Sequence, residues 1–115
     1  MTPLQVVGVG VWLLDAEVNN GGFDQYYFNS AGALAVPTVS ALEAIGASNT
    51  AHLLAAANAE FPHAMPPVDR EKRRQALDSV RETARFGALE REFYLDQEHR
   101  VSLLASYLRA HVLDA

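Results

Sequence analysis

The 115-residue sequence predicts an all-α fold, a single-domain bundle of about five to seven helices covering residues 1–115. Three observations lead there. Apolar residues recur at steps of three and four through most of the chain, as they do on one face of a helix. Clusters of Asn, Gly and Pro interrupt that pattern where helices would end. No stretch alternates polar and apolar residues as a half-buried strand would, and no internal repeat is present. With 50% hydrophobic and 20% charged residues, the chain can bury a core and still dissolve.

Thr2-Pro3 opens the first helix, because proline is tolerated in a first turn where its missing N–H costs nothing. From Leu4 to Val18 the residues Val7, Val11, Leu14 and Val18 share one face. Gly8 and Gly10 weaken it by roughly 1 kcal/mol each relative to Ala. They mark close packing or a frayed start, and strand is the competing reading of this segment. Asn19, Asn20, Gly21 and Gly22 end the helix, since these residue types accept positive φ. A short helix from Phe23 to about Ser30 follows, with Phe23, Tyr26, Tyr27 and Ser30 on one face and Asn29 with Gly32 stopping it.

The third helix starts near Val36-Pro37 and runs to Ile45, with Gly46 at its end. Ser48 or Asn49 caps the next, whose stripe is Leu53, Leu54, Ala57 and Phe61. "FPHAMPP", residues 61–67, is a proline-punctuated connector. A helix from about Asp69 to Ala84 buries Leu77, Val80 and Ala84, and pairs Arg74 with Asp78 and Asp78 with Arg81 outside. Phe86-Gly87 breaks the pattern. Beyond it come Leu89 with Phe93, and then Val101, Leu104, Leu108 and Val112 as the strongest stripe, on one kinked helix or two in succession.

The chain has no cysteine, which excludes disulfides, thiolate metal sites and a cysteine nucleophile, and fits a cytoplasmic protein. The opening "MTPLQVVGVGVWLL" has no basic flank and is shorter than the roughly 20 apolar residues a membrane span needs, so neither a signal peptide nor a membrane segment is expected. Charge is distributed unevenly. Residues 1–69 hold six acids and no Lys or Arg, whereas residues 70–115 hold the other eight acids and all nine bases. Nucleic-acid binders show the opposite, a basic stripe, so no direct nucleic-acid binding is expected. An acidic half suits a basic protein partner, or is solvated surface.

Motifs for chemistry are sparse. Glu92, Asp96 and His99 stand at i, i+4 and i+7 and could approach a divalent ion, but a solvated helix face is the favoured reading, so no metal and no cofactor is expected. No Gly-x-Ser-x-Gly turn, phosphate loop or dinucleotide fingerprint is present, and no catalytic residue is assigned. The stretch "NNGGFDQYYFNSAG" (residues 19–32) reads as a packing corner that fixes the angle between two helices. It draws on Trp12, Asn20, Gly21, Gly22, Phe23, Gln25, Tyr26, Tyr27 and Asn29. An alternative is a small-molecule or peptide pocket there, lined by Trp12, Phe23, Tyr26, Tyr27 and Phe28.

"EVNNGGFDQYYFNSAG" (Glu17–Gly32), "ALEAIGA" (Ala41–Ala47), Phe61-Pro62, "LEREFY" (Leu89–Tyr94) and "LLASYLRAH" (Leu103–His111) together resemble the bacterial DNA mimic protein 19 family. The resemblance covers nearly the whole chain and implies an all-helical fold and a non-enzymatic role. It also implies a homodimer whose carboxylates imitate DNA phosphates and occupy the DNA-binding surface of a transcription regulator. Carried onto this sequence, the acids that would serve are Asp15, Glu17, Asp24, Glu43 and Glu60. Duplex DNA carries one charge per about 1.7 Å, so imitation across a domain of this size needs on the order of 20 negative charges. A net charge of −5 is far short of that, so a monomer would be a weak mimic and a dimer a better one.

Overall fold

The computed structural model describes residues 1–113. It contains six α-helices and, among the described residues, no strand: α1 (Pro3–Phe28), α2 (Ala35–Ala44), α3 (Ser48–Asn58), α4 (Arg70–Val80), α5 (Phe86–Leu95) and α6 (Arg100–Leu113), with 3-10 turns at Ser30–Leu34 and Pro62–Ala64. The expected all-α bundle is what forms. None of the helices is long and apolar enough to cross a membrane.

The long helix α1 is the axis of the fold, packing against α2, α4, α5 and α6, while α2 pairs with α3 and α3 with α5. Its start is the expected one: Thr2 accepts from the N–H of Gln5, and the Gln5 side chain accepts from the N–H of Thr2, a complete capping box. Val7, Val11, Leu14 and Val18 are buried along the anticipated face. Gly10 marks close packing, because a Cβ there would lie 2.5 Å from the Thr38 hydroxyl on α2. Phe23, Tyr27, Phe61, Phe86 and Phe93 form one aromatic cluster in the core, with ring centroids 4.6–6.5 Å apart.

Several local expectations are corrected by contacts from distant segments. Neither Ser48 nor Asn49 caps α3. Ala47 occupies the cap position, and the Glu98 carboxylate accepts from the N–H groups of Asn49 and Thr50 and from the Thr50 hydroxyl, at 3.1, 2.7 and 2.8 Å. Helix α4 ends at Val80 rather than Ala84. Arg81 does pair with Asp78, but Arg74 turns away from it, lying 3.8 Å over the Phe28 ring and donating to the Phe28 carbonyl. Phe86 does not break a helix; it begins α5 from a buried position. α5 and α6 are separate helices, parted at Asp96 (φ 42°) and His99 (φ 57°). On α6 only Leu104 of the expected stripe is fully buried, and Val112 is exposed, because the helix packs chiefly on α1.

Tyr26 and Tyr27 give the core an alkaline limit. Tyr27 donates to Asn58 at 2.6 Å, whereas the Tyr26 hydroxyl lies beside that of Thr38 without reaching hydrogen-bond geometry. Burial pushes both phenols above their ordinary value of 10.0, reinforced for Tyr27 by its neighbour Tyr26. Above that pH the unfolded chain releases protons that the folded chain retains, so stability is full below it and falls as pH rises, by up to about 1.4 kcal/mol per unit for each phenol. A titration followed by phenolate absorbance and far-ultraviolet circular dichroism should show two of the four tyrosines ionising only as the helices melt.

Candidate functional site

The glycine corner interrupts α1. Gly21 (φ −152°, ψ 20°) leaves the helical region, Gly22 (φ 74°, ψ −174°) occupies a region essentially restricted to glycine, and helix resumes at Phe23. The N–H of Phe23, freed by the break, donates to the Glu90 carboxylate at 2.8 Å. That carboxylate fills the place a Gly22 side chain would need, and the Gln25 amide fills the place beside Gly21. A line of side chains then staples the two helical segments together. Asn20 donates to Gln25, Gln25 donates to Glu17 at 2.6 Å, and Asn29 donates to the same Glu17 oxygen at 3.1 Å.

The far end of this corner is closed by cations from α4, since α1 has no basic residue in its last turn. Arg73 is 1% exposed and has no carboxylate partner among the described residues. Its guanidinium donates to the carbonyls of Tyr27, Asn29, Pro67 and Val68 at 2.7–3.2 Å. Burial, and then the nearby Arg70, lower its pKa from the ordinary 12.5. The carbonyls at a helix C-terminus carry partial negative charge, so a cation belongs there. Asn29 ends α1 as expected.

The five rings proposed for a pocket do not line one. Phe23, Tyr26 and Tyr27 are fully buried in the core, Phe28 sits outside beneath Arg74, and Trp12 is 57% exposed. A surface depression of about 200 Å³ lies elsewhere, lined by Asn49, Glu92, Leu95 and Gln97. Glu92, Asp96 and His99 do not converge either, because α5 ends at Leu95 and Asp96 turns left-handed, where it pairs with Arg100.

The five acids named from sequence have different surroundings. Asp15 accepts from Arg100 at 2.8 Å, and Arg100 is itself buried, stacked 3.5 Å over the Phe93 ring. Asp24 pairs with Arg81 at 2.5 Å, and the bond raises the Arg81 pKa; both side chains remain about two-fifths exposed. Glu60 pairs at 3.2 Å with Arg85, which is mostly exposed. Glu17 is held by the two amides of the corner, and Glu43 is exposed on α2. Sequence reasoning missed Glu90, Glu98, Arg73 and Arg100, all of which act on helix ends or acids far away in the chain. The one sequence signal for the arginines is the base-free first half: helices without their own cations take them from the second half.

A family model described as DMP19-like protein matches residues 1–111. The chain belongs to that family. Neither the curated proteins nor the solved structures gave a match. The family's name is consistent with a DNA mimic, and the family is not a known enzyme family. The corner that carries the family resemblance is, in this fold, occupied throughout by internal bonds.

Proposed function

We propose that the protein is a non-enzymatic interaction module that places carboxylates against the basic surface of a DNA-binding protein, such as a transcription regulator. The observation that carries this reading is the placement of charge. Helices α1 to α3 contain no Lys or Arg, and the arginines that reach them from α4 to α6 leave a usable set of acids at the surface. Asp15 and Glu17 are committed inside the fold. Asp24, Glu43 and Glu60 are available. Glu43 is exposed, and the Asp24 pair is a surface ion pair worth roughly 0–1 kcal/mol that a partner's cation can replace at little cost. Glu60, its side chain 19% exposed, can be reached by displacing its partner Arg85, which is 81% exposed.

This is partial mimicry. The molecule is 45 Å long, and duplex DNA of that length carries roughly 26 charges. Three carboxylates per chain imitate a few phosphates at chosen positions, and a homodimer joined through the mixed-charge half would double that number. Sedimentation of the purified protein tests the dimer. The interaction itself is tested by immobilising the chain and exposing it to lysate of its native host across a salt series, with and without duplex DNA. The expected result is recovery of a DNA-binding protein that elutes with rising salt and is displaced by DNA. Binding that ignores both salt and DNA would refute the proposal.

A further inference from the structure

The depression lined by Asn49, Glu92, Leu95 and Gln97 lies where the start of α3 meets the end of α5, apart from the glycine corner. Its chemistry favours a cation. Three of its four lining side chains offer oxygen acceptors, and the fourth, Leu95, is 67% exposed and supplies an apolar wall. Glu92 is exposed and enters no ion pair among the described residues. Two neighbouring charges are already engaged. Glu98 satisfies the N-terminal N–H groups of α3, and Arg100 is held by Asp15, Asp96 and the Phe93 carbonyl.

A second observation points the same way. Glu92 and Leu95 belong to the last turn of α5, where helix carbonyls go unpaired and the helix dipole is negative. That turn has no basic residue of its own, and the left-handed Asp96 that ends it makes no backbone capping bond. Of its terminal carbonyls, the one at Phe93 receives a side-chain donor, from Arg100. The depression is therefore a negative helix end fitted with a carboxylate, two amide oxygens and an apolar wall.

We propose that this depression receives one arginine side chain from a protein partner, an inference that rests on the proposed function and adds a recognition position to it. At about 200 Å³ the space is below the roughly 300–1,000 Å³ of small-molecule sites and suits a single side chain. A guanidinium is planar and has five donors, so it can take both Glu92 oxygens and still donate to the amide oxygens of Asn49 and Gln97. Its aliphatic stem then lies along Leu95. A lysine ammonium has three donors and no planar fork, so it cannot take both Glu92 oxygens in parallel and still reach both amides. On DNA-reading surfaces the commonest base-specific contact is made by a basic side chain, arginine or lysine, to guanine.

The test is a titration of the isotope-labelled full chain, followed by amide chemical shifts, with N-acetyl-arginine amide, its lysine counterpart and its neutral citrulline counterpart. The expected result is saturable shifts at Asn49, Leu95 and Gln97 with the arginine probe, at least fivefold weaker binding of the lysine probe, and none of the citrulline probe. Glu92→Gln, which leaves folding intact because Glu92 is exposed, should weaken the arginine probe at least tenfold. Equal response to citrulline or lysine, equal shifts around Glu43 and Glu82, or an unaffected Glu92→Gln variant would overturn the assignment. Because the probe needs no DNA-binding partner, this result and the lysate capture can fail independently.

Discussion

Replacing Arg73 with Met is expected to destabilise the fold by about 4 kcal/mol, the largest effect of any single change considered. The guanidinium holds four backbone carbonyls from two places at once: Tyr27 and Asn29 at the end of α1, and Pro67 and Val68 in the connector before α4. Met fills the volume but offers no donor, so those buried acceptors lose their partners, at about 1–3 kcal/mol for each one that water cannot reach. Against a total stability of roughly 5–15 kcal/mol, this brings the protein near its unfolding threshold. Urea denaturation at neutral pH measures the loss. Arg73→Lys should recover only part of it, because an ammonium has three donors and no fork. A Met variant within 1 kcal/mol of the parent chain would show that the clasp is not needed.

The second large effect is expected at Gly22. Gly22→Ala meets two separate penalties: a backbone region that L-residues avoid, costing about 1–3 kcal/mol, and the Glu90 carboxylate standing where the new methyl must go. Displacing Glu90 also uncaps Phe23, at about 0.5–2 kcal/mol. A total near 3 kcal/mol follows. Gly46→Ala separates the contributions, since Gly46 also has positive φ (89°) but open space around its side-chain position. The Gly46 variant should lose about 1 kcal/mol. Equal losses in paired thermal melts of the two variants would mean that the Glu90 contact contributes nothing.

These two positions show what the sequence could reveal. The helix stop at Asn19–Gly22, the restart at Phe23 and the end at Asn29 were legible, because Asn and Gly have local backbone preferences that nothing distant overrides. The core face of α1 was legible from its period. The capping of α3 was not. Ser48 and Asn49 are good local caps, yet Glu98 reaches the same N–H groups from 48 residues away, and no window of sequence contains both. The aromatic run was misleading in a particular way. Adjacent rings at helical spacing divide between faces, so Tyr26 and Tyr27 enter the core while Phe28 stays outside, and Trp12 lies on the solvent face of α1.

The candidate site follows the same division. The absence of bases before Arg70 was visible at once, but its structural meaning was not. Arginines of the second half reach Asp15, Asp24 and Glu60 and the carbonyls at the end of α1, so part of the asymmetry is consumed by folding. What remains for a partner depends on which pairs are buried. Arg100 is 2% exposed in its side chain and cannot be exchanged, whereas Arg85 is 81% exposed and can be.

The central claim is that the corner builds the fold while the surface acids make the contact. It is tested most directly by comparing two variants side by side in lysate capture, with melting temperatures measured on the same samples. Asp24→Asn/Glu43→Gln/Glu60→Gln should melt within a few degrees of the parent chain yet no longer retain the DNA-displaceable protein. Gln25→Ala, which breaks the side-chain line across the corner, should melt lower yet retain that protein at temperatures where it is folded. If the triple variant binds as well as the parent, or the Gln25 variant keeps its stability and loses binding, the contact lies at the corner and the account is wrong.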